Sequence, residues 1–153
     1  MNTSRIPLHV AVCAAVALSA CAPLEPHKEV ISTKNAPSAI GPYSQAIRSG
    51  STVFLSGQLP IDPTTNAPAI TASIEDQTKL VLDNLRAVLA AKGMTLDDIV
   101  STQVYMTDLN EFPRMNAVYA TYFRDQPPAR ATVGVSRLAR DLKIEISAVA
   151  VKR

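Results

Sequence analysis

Residues 143–152, KIEISAVAVK, constrain the fold of this chain more than any other stretch. Successive side chains of a strand point to opposite faces, so Ile144, Ile146, Ala148 and Ala150 share one face. Glu145, Ser147, Val149 and Val151 share the other. Both faces carry apolar groups, so a sheet built around this strand needs cover on both sides. The chain offers two amphipathic helices, which can cover one face of a small sheet. The other face must meet something else, and a homo-oligomer joined through sheet faces is the simplest cover.

The helices are read from periodicity. Ile74, Val81, Leu82, Leu85, Val88 and Leu89 recur at helical spacing. Ser73 predicts the N-cap, with Asp76 three positions on in a capping-box pattern, and Gly93 predicts the C′ position. A second helix is expected over EFPRMNAVYATYF (111–123), capped by Asn110. Pro113 is tolerated in its first turn, where N–H groups have no intrahelical partner. Strands are expected at EVIS (29–32), SQAIRSG (44–50) and STVFLSG (51–57), with Gly50-Ser51 as the hairpin turn between the last two. The proline-rich LPIDPTTNAPAIT (59–71) reads as a loop. IVSTQVYMT (99–107) alternates: Val100, Thr102, Val104 and Met106 face one way, Ser101, Gln103 and Tyr105 the other. ARATVGV (129–135) supplies one more strand.

The N-terminus reads as an address. Arg5 precedes an apolar run from Val10 to Ala20, too short to span a bilayer but long enough for the core of a signal peptide. The run closes on Leu18-Ser19-Ala20-Cys21, which resembles the bacterial lipobox. In such signals the peptidase cuts before the cysteine, whose sulfur carries diacylglycerol. The expected organisation is a lipoprotein signal peptide over 1–20, lipidated Cys21 and a tether over 21–29, and one folded domain over 30–153. The implied location is the cell envelope, lipid-anchored on the periplasmic side, with Ala22 favouring the outer membrane in a Gram-negative cell. Cys13 leaves with the signal, and the thiol of Cys21 is consumed by lipid.

Chemistry is then narrowed by elimination. The remaining histidine, His27, lies on the tether and reads as solvated, so Ser-His and Cys-His catalysis lack a base. No H-E-x-x-H or C-x-x-C pattern is present for a metal. The five glycines form no phosphate loop. A net charge of +2, no dense Lys/Arg run and no Trp leave nucleic acid without a footprint. Arg, Glu, Tyr, Ser, Asn and backbone N–H groups remain, a set able to bind an anion and move a proton or a water. Arg130 is the natural anion partner, because its planar fork matches a carboxylate. Glu145, between two isoleucines on the face expected to meet a neighbour, is the natural acid/base, its pKa raised by partial burial. A purely structural Arg130–Glu145 ion pair is the alternative.

Three collinear segments, NAPSAIGPYSQA (35–46), FLSGQLPIDP (54–63) and PARATVGVSRLARDLKIEI (128–146), resemble the RidA (YjgF-type) family. The resemblance implies an α+β, chorismate-mutase-like mixed sheet with two helices on one face, assembled as a homotrimer with sites between subunits. It implies hydrolysis of reactive 2-enamine and 2-imine carboxylates to 2-keto acids and ammonia, without metal or organic cofactor. Carried over by position, it implies that Arg130 grips the substrate carboxylate and Glu145 orients or activates water. Tyr43, Ser56 and the backbone of Gly57 would line the cleft, with Asn116 supporting it. Many deaminases of the family have cysteine where this chain has Thr132, so that position bears on substrate range and rate. A non-catalytic trimer of the same fold, binding small carboxylates or a protein partner, is the competing expectation.

Overall fold

The computed structural model describes residues 27–152; the signal, the lipobox and Cys21 lie outside the described residues. Six strands, β1 (Lys28–Ile31), β2 (Ala46–Ser49), β3 (Thr52–Gln58), β4 (Ile99–Met106), β5 (Ala129–Gly134) and β6 (Ile144–Val151), form one sheet. Their order is β1-β2-β3-β6-β4-β5. All neighbours are antiparallel except β4 and β5, which run parallel. The helices α1 (Ile74–Ala90) and α2 (Phe112–Tyr122) lie on one face of this mixed sheet, which is the expected α+β arrangement.

The core forms where the helices meet the sheet. Val81, Leu82, Leu85, Val88 and Leu89 of α1 pack with Met115 and Tyr119 of α2, and with Val104, Met106, Ile144 and Ile146 below. Each fully buried Leu or Ile contributes about 1.5–3 kcal/mol relative to an exposed one. Ser73 caps α1 by accepting from the Asp76 N–H, and its hydroxyl donates to the Asp76 carboxylate at 2.8 Å. The C-cap is Ala91, so Gly93, with φ of 62°, falls one residue later than expected, after a final tight turn. Gly50, with φ of 60°, turns the β2–β3 hairpin.

Two expectations are corrected. Val100 does not join the buried face of β4; it is 48% exposed, and Ile99 is buried in its place. The β4–β6 register slips between Ile99 and Ser101, and this bulge rotates Val100 outward. Nor does Asn110 cap α2, whose N-cap, Glu111, makes no side-chain capping bond and turns its carboxylate to Arg114 and Lys143 instead. Asn110 sits inside a preceding 3-10 turn over Leu109–Glu111, and Asp108 caps that turn by accepting the Asn110 N–H.

The opposite face of the sheet carries Ser101, Gln103 and Tyr105 of β4 with Glu145, Ser147 and Val149 of β6. Phe54 and Val133 on the same face stand about half exposed, at 52% and 46%. This is the face that the alternation of 144–151 leaves without helical cover. A shallow concavity of about 140 Å³ lies there among Phe54, Gln103, Ser147 and Val149.

Candidate active site

The position of Arg130 follows from strand register. Arg130 and Thr132 of β5 pair with Thr102 and Val104 of β4, both buried beneath the helices. Arg130 therefore rises on the helix face. Its Nη2 donates to Asn116 Oδ1 at 2.7 Å. Its guanidinium carbon lies 4.5 Å from the centre of the Tyr119 ring and 5.6 Å from that of Phe112. All three partners belong to α2 and all are neutral. Among the described residues Arg130 forms no ion pair. A guanidinium has five N–H donors, so most of its fork is left for an anion.

Thr132 lies two residues along the same face. Its Oγ1 is buried and makes no hydrogen bond among the described residues. Buried hydroxyls without partners are uncommon in folded proteins.

Glu145 belongs to the other face. It pairs across the sheet with Tyr105 of β4, while its neighbours Ile144 and Ile146 point into the core. The ladder between β3 and β6 is irregular between Leu55 and Gln58, which places Ser56 and Gly57 in a bulge. The Glu145 carboxylate lies directly over Gly57: a Cβ there would stand 1.9 Å from Oε1. Only glycine admits the carboxylate at this spot. Burial raises the Glu145 pKa above the ordinary glutamate value, and no hydrogen bond to the carboxylate among the described residues offsets it.

Ser56 and Tyr43 sit beside this second group. Ser56 Oγ donates to the Ser44 carbonyl at 2.6 Å, so its hydroxyl ties β3 to the Gly41–Gln45 segment. Tyr43 is 48% exposed, and its hydroxyl accepts the Ile40 N–H at 3.2 Å. The loop is held by Gln45, a residue that sequence reasoning passes over. Its buried amide accepts from the Thr33 N–H and donates to the carbonyls of Thr33, Ala36 and Pro37. Tyr119 and Phe112 are likewise missed, because aromatic residues at helical spacing read as core.

The residues singled out in the sequence thus form two groups. Arg130, Asn116 and Thr132 stand on the helix face; Glu145 and Gly57 stand on the open face, with Ser56 and Tyr43 adjoining. Within one chain the sheet separates Arg130 from Glu145, and the structural ion pair between them is absent. A concavity of about 870 Å³ between α1 and α2 includes no member of either group.

Against this geometry the relatives can be read. The sequence model of the family described as Endoribonuclease L-PSP matches residues 33–152. The chain belongs to that family. It is the RidA (YjgF-type) family to which the three sequence segments point. RutC family protein PH0854 of Pyrococcus horikoshii is 52% identical over 125 residues, covering 82% of this chain and 98% of that relative. TdcF of Escherichia coli strain K12, provisionally named a reactive intermediate deaminase, is 44% identical over 128 residues, covering 82% and 98%. The fold agrees with the crystal structure of E. coli TdcF with bound serine, at TM-score 0.78 and 42% identity, covering 82% of this chain and 99% of that one. It agrees equally with RidA from the Antarctic bacterium Psychrobacter sp., at TM-score 0.77 and 36% identity, covering 80% and 98%.

Proposed function

We propose that this chain hydrolyses reactive 2-imino and 2-enamino carboxylates to 2-keto acids and ammonia, acting as a homotrimer whose sites lie between subunits. One observation carries the reading: Arg130 and Glu145 stand on opposite faces of one sheet, each without a charged partner among the described residues. An unspent guanidinium fork and a carboxylate with a raised pKa are the two halves of a site that binds an anion and moves a proton. They can act on one substrate only if two copies of the chain supply them. The open sheet face gives those copies a surface to share, and the deaminase name of TdcF gives the reaction class.

In this reading the free N–H groups of Arg130 hold the substrate carboxylate. Glu145 takes a proton from water as the oxygen bonds to the imine carbon, the C=N electron pair moves to nitrogen, and Glu145 returns that proton to the nitrogen. A tetrahedral aminoalcohol results. Glu145 passes the hydroxyl proton to the amino nitrogen, the C–N bond breaks with its electron pair as the C=O closes, and neutral ammonia leaves. An enamine enters the same path after protonation at its β-carbon. Gly57 keeps room for the Glu145 carboxylate, and the unpartnered Thr132 hydroxyl is free to bond substrate or water. No helix among the described residues is long and apolar enough to cross a membrane. In this reading the anchor is lipid on Cys21, following the signal peptide over 1–20, and the folded domain, which begins at β1, stands in the cell envelope.

The test couples an amino-acid oxidase acting on L-alanine to the purified protein and follows loss of the imine. Wild type should accelerate hydrolysis, and Arg130→Ala should lower kcat/KM by about a hundredfold or more. No acceleration over buffer, or full activity in Arg130→Ala, sinks the assignment. Metabolic labelling with an alkynyl fatty acid should mark the wild type and spare Cys21→Ala; labelling of neither removes the anchor.

A further inference from the structure

We propose that Tyr119 is a positioning residue for Arg130, fixing the plane of the guanidinium so that its fork faces the substrate carboxylate. The inference rests on the role given to Arg130 above and extends it to a residue that does not touch substrate. An arginine side chain has many rotamers, and an edge strand leaves most of them open. One hydrogen bond to Asn116 cannot fix both the position and the tilt of a planar group. The ring of Tyr119 supplies the missing constraint, because a cation attracted to the quadrupole of an aromatic face lies flat over it.

The ring is itself held from three sides. Tyr119 is 4% exposed, so its walls are core side chains. Its hydroxyl shares a hydrogen bond of 2.8 Å with Thr102 Oγ1, another buried group. Its ring packs on Phe123 with centres 4.6 Å apart and planes tilted by 34°. Burial raises the Tyr119 pKa, so the ring remains a neutral phenol at ordinary pH and offers Arg130 no counter-charge. Thr102 is also the β4 residue paired with Arg130. The strand pair therefore sets both the base of the arginine and the anchor of the ring above it. The guanidinium is steadied by Asn116, Tyr119 and Phe112 without being neutralised. A carboxylate in place of any of them would steady it equally well and occupy the fork.

The experiment uses the full chain with pyruvate, the product of 2-iminopropanoate, as ligand. Tyr119→Leu should weaken pyruvate binding about fivefold to tenfold and raise KM to match, with kcat nearly unchanged. Tyr119→Phe keeps the ring and should bind within about twofold of wild type. The Arg130 Nε–Hε resonance gives a second readout that needs no ligand. Ring current should displace it in wild type and in Tyr119→Phe, and Tyr119→Leu should remove most of that displacement, leaving the smaller contribution of the Phe112 ring. Unchanged affinity and unchanged resonance in Tyr119→Leu would overturn the proposal, as would a Phe variant as impaired as the Leu variant. If Tyr119→Leu does not fold, Thr102→Val decides, since it keeps the core volume and frees the ring. Broadening of the Arg130 resonance with weaker pyruvate binding supports the proposal there, and no change in either overturns it. A wild type that neither binds pyruvate nor consumes imine removes the deaminase reading, while the Arg130 resonance still reports on Tyr119.

Discussion

The two faces of the sheet hold their charged residues by opposite means. On the helix face, Arg130 is surrounded by partners: one amide oxygen and two rings, all from α2. On the open face, the Glu145 carboxylate makes no hydrogen bond among the described residues and rests on the bare backbone of Gly57. The arginine is positioned without a counter-charge; the glutamate is partly desolvated, which raises its pKa. This difference suits a division of labour. A group that binds a substrate needs fixed geometry, while one that trades protons needs a pKa displaced toward the working range. In the proposed trimer, each copy of the chain would supply half of a site.

Mixing two inactive variants tests that division most severely. Arg130→Ala and Glu145→Gln, each inactive alone, should recover activity when unfolded and refolded together. Random assortment leaves about a quarter of the sites with an intact half from each variant. No recovery would mean that both groups serve within one chain, which the separation by the sheet excludes, or that the halves never meet. A smaller step sharpens the glutamate side. Gly57→Ala forces the carboxylate off its seat and should cost about a hundredfold or more in kcat/KM, with pyruvate binding at Arg130 much less affected. Equal losses in both would show that the bulge as a whole has moved. The smallest effect is on stability. A carboxyl whose folded pKa is raised stabilises the fold most below the ordinary glutamate value of 4.5 and loses that contribution as pH rises through the folded value. Glu145→Gln should therefore melt higher than wild type at neutral pH, and the gap should close below pH 4.5. A gap that widens in acid would mean that the carboxylate has a favourable partner.

The strand patterns carried most of the fold. The alternation of 144–151 shows which face is buried and that the other lacks a cover, because a period of two is unambiguous once one face is core. The periodic residues of α1 were equally readable. Val100 was not, since a bulge reverses parity and leaves no mark in composition. Asp108 and Asn110 are both good caps, and only the 3-10 turn between Asp108 and α2 chooses one of them. The separation of Arg130 from Glu145 could not be read either. Each strand shows its own parity, but relating two strands needs the register through β4. Gln45 hides for a different reason: in sequence a glutamine after Tyr43-Ser44 reads as surface, whereas its four hydrogen bonds make it the buried pin of the loop beside Ser56.

The outermost strand has a mechanical consequence. Any pull on the chain ahead of β1 reaches the sheet at the Lys28–Ser49 end of the β1–β2 ladder. Force applied there peels an edge strand, breaking its hydrogen bonds one pair at a time instead of shearing them all together. The second residue of that strand, Glu29, is tied to Lys92 beyond the end of α1 and to Arg48 on the neighbouring strand. These pairs act as a rivet where peeling would begin, and they connect the strand to the helix layer as well as to the sheet. A domain fastened at this end would have to part these solvent-screened pairs, a small cost for exposed ion pairs, as its first strand began to peel.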